Sequence, residues 1–189
     1  MRLIFVFVLI FLIPVALFAD YDDLDESKHS FSTGIAMGFG QNMSVMDIGF
    51  QYSFKLTDDF WIGFPLRWFD QKQDYGFDIT TLEAGVELKY LLPKMGGKKG
   101  QGFIFSLAAL MNGDFSEEDN TGATIAKADF DGMRIVAGGG YQWKKGKKGM
   151  VTGIQIGIEY LDLDISGGYT LSGNREPRLH WAFTIGYVF

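Results

Sequence analysis

The sequence contains no cysteine. A disulfide framework, a thiolate metal site, a cysteine nucleophile and a lipid-modified cysteine are all excluded by that one absence. Histidine is almost as scarce: His29 and His180 are the only two, which leaves little material for imidazole acid–base chemistry. Excess positive charge is missing as well. Against 23 Asp+Glu stand 17 Lys+Arg, a net charge of −6, and this is not the basic surface that nucleic acids select. Long apolar runs are confined to one, Leu3 to Phe18. It follows a single basic residue, Arg2, contains Pro14, and is too short and wrongly flanked for a membrane-spanning helix. Residues 1–19 are therefore expected to be a secretory signal peptide cleaved after Ala19. Five acids follow in the seven residues Asp20 to Glu26, so residues 20–28 read as a solvated acidic tail.

What is abundant is aromatic and glycine: 16% aromatic residues, with Gly 25 and Phe 18. Their arrangement is clearest in the last twelve residues. Leu179, Trp181, Phe183, Ile185, Tyr187 and Phe189 alternate there with Arg178, His180, Ala182, Thr184, Gly186 and Val188. A period of two is a β-strand with two different faces, and the length suits the roughly 9–11 residues that a tilted strand needs to cross a bilayer. Glycines on the other face would let a narrow lumen close.

The same alternation recurs from His29 onward. Strands are expected at 31–40, 46–56, 60–68, 82–90, 103–112, 133–143, 153–160 and 178–189, all within a domain spanning 29–189. Pro65 interrupts the third, where it removes a ladder donor, and a bulge is expected there. Strand five alternates least cleanly, since Ile104, Ala108 and Leu110 lie opposite its apolar face. Eight strands in lipid must close, because each needs a hydrogen-bonded neighbour on both sides. The expected fold is all-β: an eight-stranded antiparallel up-and-down transmembrane β-barrel preceded by a cleavable signal peptide.

Connections alternate between the barrel's ends. Those near 57–59, 93–101 and 144–149 fall at one end with both termini; those near 41–44, 69–78, 113–131 and 162–177 fall at the other. Short turns belong in the periplasm and longer loops outside. The outer connections are rich in acid and the turns in lysine, so the barrel is expected to be acidic outside and basic beneath. Phe31, Phe54, Phe60, Tyr90, Phe103, Tyr141, Trp143, Tyr187 and Phe189 would form an aromatic girdle at the turn end, with Phe39, Trp68, Tyr160 and Trp181 at the other.

The terminal pattern Phe183-x-Ile185-x-Tyr187-x-Phe189 resembles the C-terminal signal by which bacterial outer-membrane barrels are recognised for assembly. From residue 20 onward the chain is similar to the small eight-stranded families typified by the OmpA membrane domain, OmpX and OmpW. That resemblance implies residence in the bacterial outer membrane among its lipids and lipopolysaccharide. It also implies passage with periplasmic chaperones and insertion by the barrel-assembly machinery. Unlike full-length OmpA, the chain is expected to carry no peptidoglycan-binding domain after the barrel.

The inward-facing set carries the chemistry. Asp47, Glu83, Glu87 and Glu159 are its acids; Lys55, Arg67, Lys89, Arg134 and Arg178 are its bases, with His180 beside them. An eight-stranded barrel is just wide enough for side chains to fill, and charges held there must pair. A side-chain-plugged lumen is the first expectation; a narrow small-solute or ion channel, porin-like, is the alternative. A lipid A-modifying enzyme would need His180 with a serine and an acid, and no serine motif accompanies it, so no catalytic residue is assigned. Asp162-x-Asp164-x-Ser166-Gly167 opens like an EF-hand loop, but Gly173 stands where the bidentate glutamate is required. No metal and no cofactor are expected. The functional expectation is a monomeric scaffold of the cell envelope. Its acidic outer loops, above all Asp114, Glu117, Glu118 and Asp119, would meet an extracellular ligand.

Overall fold

In a computed structural model the described residues are 28–40, 43–57, 59–73, 79–92, 101–112, 115–118, 124–128, 132–145, 149–162 and 175–189. The signal peptide read at 1–19, nearly all of the acidic tail, and the loop carrying Asp164, Ser166 and Gly173 lie outside them. Eight long strands close a barrel: β1 (His29–Gly40), β2 (Met43–Lys55), β3 (Phe60–Gln73), β4 (Ile79–Leu92), β5 (Gly102–Asn112), β8 (Met133–Lys145), β9 (Met150–Asp162) and β10 (Pro177–Val188). Every neighbour is antiparallel, in the order β1-β10-β9-β8-β5-β4-β3-β2. The fold is therefore an all-β, up-and-down closed barrel. Two short strands, β6 (Phe115–Glu118) and β7 (Thr124–Ala128), form a separate two-stranded sheet inside the connection between β5 and β8.

Closure joins the first strand to the last. Ser30 to Phe39 pair in register with Val188 to Leu179. At the end of that seam the His29 N–H donates to the Phe189 carbonyl at 3.0 Å, and the Phe189 N–H returns to the His29 carbonyl at 2.8 Å. The His29 ring stacks on both Tyr52 and Phe189, and its Nδ1 lies 2.7 Å from the Tyr52 hydroxyl. His29 thus belongs to β1 instead of preceding it.

The alternation sorts the side chains as its period requires. Large apolar groups face outward on every barrel strand, Trp68 and Met111 being 57% and 72% exposed. From Phe31 to Phe39, Leu82 to Leu92, Phe103 to Met111, Met133 to Trp143 and Leu179 to Phe189, no outward position bears a charge. Aromatic neighbours meet at the turn end, as in Phe60 with Tyr90 and Phe103 with Tyr141. The inner face of β5 alternates poorly because it is the apolar wall of the interior: Ala108 and Leu110 pack there with Val136.

Several boundaries differ from the sequence expectation. β2 starts at Met43, so the 41–44 connection is shorter, and it ends at Lys55, leaving Leu56 in the bend. β3 continues to Gln73 and β4 begins at Ile79, so the first half of the segment read as a connection at 69–78 is strand. The connection at 113–131 contains the β6–β7 hairpin, with a register shift between Glu117 and Glu118. No bulge occurs at Pro65. The β3–β4 register is the same on both sides, Gly63↔Glu87 and Leu66↔Ala84, with the ladder lapsing between. Proline here removes hydrogen bonds without inserting a residue, and Gly85, which would face it in that register, is approached by the Ala109 carbonyl.

Candidate functional site in the barrel lumen

Inward positions near the loop end of six strands bring ionic groups together. Arg134, second residue of β8, is wholly buried and central. Its Nη2 donates to Asp47 Oδ2 of β2 at 2.8 Å and to Glu83 Oε2 of β4 at 2.5 Å; its Nη1 donates to Glu159 Oε2 of β9 at 3.0 Å. Its guanidinium also lies 4.7 Å from the centre of the Phe69 ring, a cation–π contact strengthened by the loss of water. One planar cation with several fixed donors can serve three carboxylates at once, which a lysine ammonium would do less well.

Two further arginines complete the charge balance. Arg178 Nε sits 3.7 Å from Glu159 Oε1, and Arg67 Nη1 sits 3.8 Å from Asp47 Oδ2. Arg178 Nη1 donates to Gln71 Oε1 at 3.1 Å, and Asn112 Nδ2 donates to Glu83 Oε1, also at 3.1 Å. His180 Nδ1 is 3.1 Å from Glu159 Oε2. Three carboxylates thus face three guanidiniums in one layer across the lumen. Gly38 makes room for it, since a Cβ there would strike Glu159, whose Cδ would be only 3.0 Å away.

A second, smaller group lies toward the turn end. Glu87 accepts from the Gln51 amide, whose other bond goes to Ser53 Oγ at 3.0 Å, and Lys89 Nζ is 3.8 Å from Glu87 Oε2. Lys55 stands at the end of β2, in register with Trp61. Beneath Glu87 the lumen opens into a cavity of about 30 Å³ bordered by hydroxyl side chains and Lys89.

Of the inward residues singled out from sequence, Asp47, Arg67, Glu83, Arg134, Glu159, Arg178 and His180 come together at the loop end. Glu87 and Lys89 form a pair below, and Lys55 lies at the turn end of β2. Phe183, Ile185 and Tyr187 run along the outward face of β10, in register with Ile35, Thr33 and Phe31 of β1. Glu117 and Glu118 lie in β6; Asp114 and Asp119 fall outside the described residues. Sequence reasoning missed Phe69, Gln71 and Asn112 as members of the loop-end layer and Trp61 as an inward residue. Phe69 and Gln71 continue the inward period of Arg67. The adjacent aromatics Trp68 and Phe69 conceal that continuation, because they read as the end of an alternating run.

No known family model matches the chain, and a search of curated proteins returns no match.

Proposed function

We propose that this chain is a bacterial outer-membrane protein of the small eight-stranded class. Its barrel would be a scaffold of the envelope closed by its ionic layer, and its acidic loop end would meet partners outside. The observation that carries the reading is the uncharged outward belt. Leu179 to Phe189, covering β10 and the residue after it, spans about 33 Å along a chain rising ~3.3 Å per residue, or about 25 Å along the axis of a barrel whose strands tilt ~40°. That is the height of a bilayer's apolar band, and a folded protein in water would not leave so continuous an apolar surface unpartnered. Within this reading residues 1–19 are the export signal. Phe183, Ile185, Tyr187 and Phe189 are the assembly signal read by the insertion machinery, and lipopolysaccharide and phospholipid surround the wall.

The scaffold reading rests on the lumen. An arginine held by three carboxylates, with two more arginines alongside, fills the lumen with paired charge at that level, and this supports a plugged barrel. The rival reading, a narrow solute channel, draws on the polar cavity at the turn end. Planar-bilayer recording of the refolded chain separates them, with folding checked beforehand by the heat-dependent gel shift of intact barrels. A folded protein that stays silent supports the scaffold. Reproducible discrete steps, altered by Arg67→Ala or Glu87→Gln, would replace it with the channel.

An enzyme that edits lipid A would have to present His180 to acyl chains. The ring is instead turned into the lumen, 3% exposed and held by Glu159. His180→Ala is therefore expected to leave lipid A acylation unchanged, as mass spectrometry of extracted lipid A would register.

A further inference from the structure

The cavity at the turn end has a composition unlike the layer above it. Among the described residues its lining contains no carboxylate: hydroxyls from Ser30, Ser32, Ser53 and Thr184 border it, with the Lys89 ammonium and the Trp61 indole. Register explains the concentration of positive charge. Lys55, Trp61 and Lys89 are consecutive partners across β2, β3 and β4, so two lysines flank one indole on the inward side of the wall. One acid of the same strand, Glu87, is engaged from the side by the Gln51 amide. At 3.8 Å it neutralises part of the Lys89 charge without receiving a hydrogen bond from it.

Hydrogen-bond direction adds a second, independent argument. Ser53 is buried, and its Oγ accepts from Gln51 Nε2 at 3.0 Å. A hydroxyl that accepts through its lone pair still has its own proton to donate, and Ser53 borders the cavity. Gly63, opposite Ser53 in the β2–β3 register, preserves this arrangement, because a Cβ there would collide with the Gln51 amide and lie 2.8 Å from Ser53 Oγ. Lys89, Trp61 and several hydroxyl residues thus border the cavity together with Gln142 and with no lining carboxylate, and the donors they carry suit an acceptor-only ligand.

We propose that the turn-end mouth of the lumen binds a small oxyanion, a phosphate or a carboxylate group, through Lys89 and the hydroxyls of Ser53 and Thr184. The volume limits the ligand to one such group with little attached, and the ionic layer above stops it from passing through. The site is thus a dead-end pocket entered from the turn end.

Trp61 provides the readout, since Trp68, Trp143 and Trp181 all sit on the outward face and can be replaced by phenylalanine. The refolded full chain carrying those three replacements, in a phosphate-free maltoside detergent, is titrated with inorganic phosphate and separately with acetate at constant ionic strength. A saturable change in Trp61 emission with either anion is expected. Lys89→Met should weaken it by about tenfold or more, the scale of one lost charge-assisted hydrogen bond, while Lys89→Arg retains it. Ser53→Ala and Thr184→Val should each weaken it several-fold, and they decide the matter if Lys89→Met fails the heat-shift test for folding. No saturable response to either anion, or a response indifferent to all these replacements, overturns the proposal.

Discussion

Arg134 holds apart three carboxylates that would otherwise repel one another within the lumen. Removing it leaves Asp47, Glu83 and Glu159 buried without their shared cation, and breaking a buried ion pair from one side costs about 3–5 kcal/mol. Arg134→Met is expected to lower the unfolding free energy by about 3 kcal/mol or more, measured by urea titration of the folded barrel in detergent. The coupling makes the expectation sharper. Arg134→Met combined with Glu83→Gln should be less destabilising than the sum of the two single changes, because the second removes a charge that the first has orphaned. Arg67 gives the contrast. Its guanidinium is partly exposed and 3.8 Å from Asp47, so Arg67→Met should cost only about 1 kcal/mol. Gly38→Ala tests the same layer by space instead of charge. The new methyl must displace the Glu159 carboxylate from Arg134 and His180, and a loss of about 1–3 kcal/mol is expected with little change in the secondary-structure spectrum.

At the scale of the element, the seam between β1 and β10 is where a barrel either closes or frays. Phe189 adds two backbone hydrogen bonds beyond the last strand residue and stacks on His29, which Tyr52 holds from its other side. Deleting Phe189 should reduce the heat-resistant folded fraction and, on the outer-membrane reading proposed above, the level of protein assembled in that membrane. His29→Ala, which keeps the backbone pairs and loses only the ring, should reduce thermal stability by about 1 kcal/mol and leave assembly largely intact. If both variants assemble equally poorly, the side chains of the latch, not the terminal residue as a signal, are responsible. The strands themselves were legible because the wall separates two different surroundings, so each residue's neighbour in sequence faces the opposite one. Legibility failed where that contrast weakens. In β5 the lumen side is apolar like the outside, through Ile104, Ala108 and Leu110. At Trp68–Phe69 two adjacent aromatics face opposite ways, and the alternation is masked in the sequence. Pro65 misled for another reason: an absent donor shortens a ladder locally, and sequence cannot distinguish that from an inserted residue. Contacts within the lumen were out of reach altogether. Arg134 meets Asp47 across 87 residues of chain, and that meeting depends on how the closed barrel staggers its strands, which no local pattern encodes.

For the whole molecule, the barrel and the β6–β7 hairpin are separable by topology. β5 and β8 pair directly from Met111↔Met133 down to Gly102↔Gln142, so nothing in the closed wall runs through the segment between them. The hairpin forms its own sheet, and loop length between paired strands affects stability only weakly. Deleting Ser116 to Ala126 should therefore leave the heat-dependent gel shift and the urea midpoint within about 0.5 kcal/mol of the parent chain. The same deletion should abolish attachment of any surface partner that reads the acidic loop end. A variant that folds normally and still binds such a partner would move the contact to another connection. A variant that fails to fold would mean that the hairpin helps to hold the rim of the barrel, and the division into a closed wall and a free loop end would have to be abandoned.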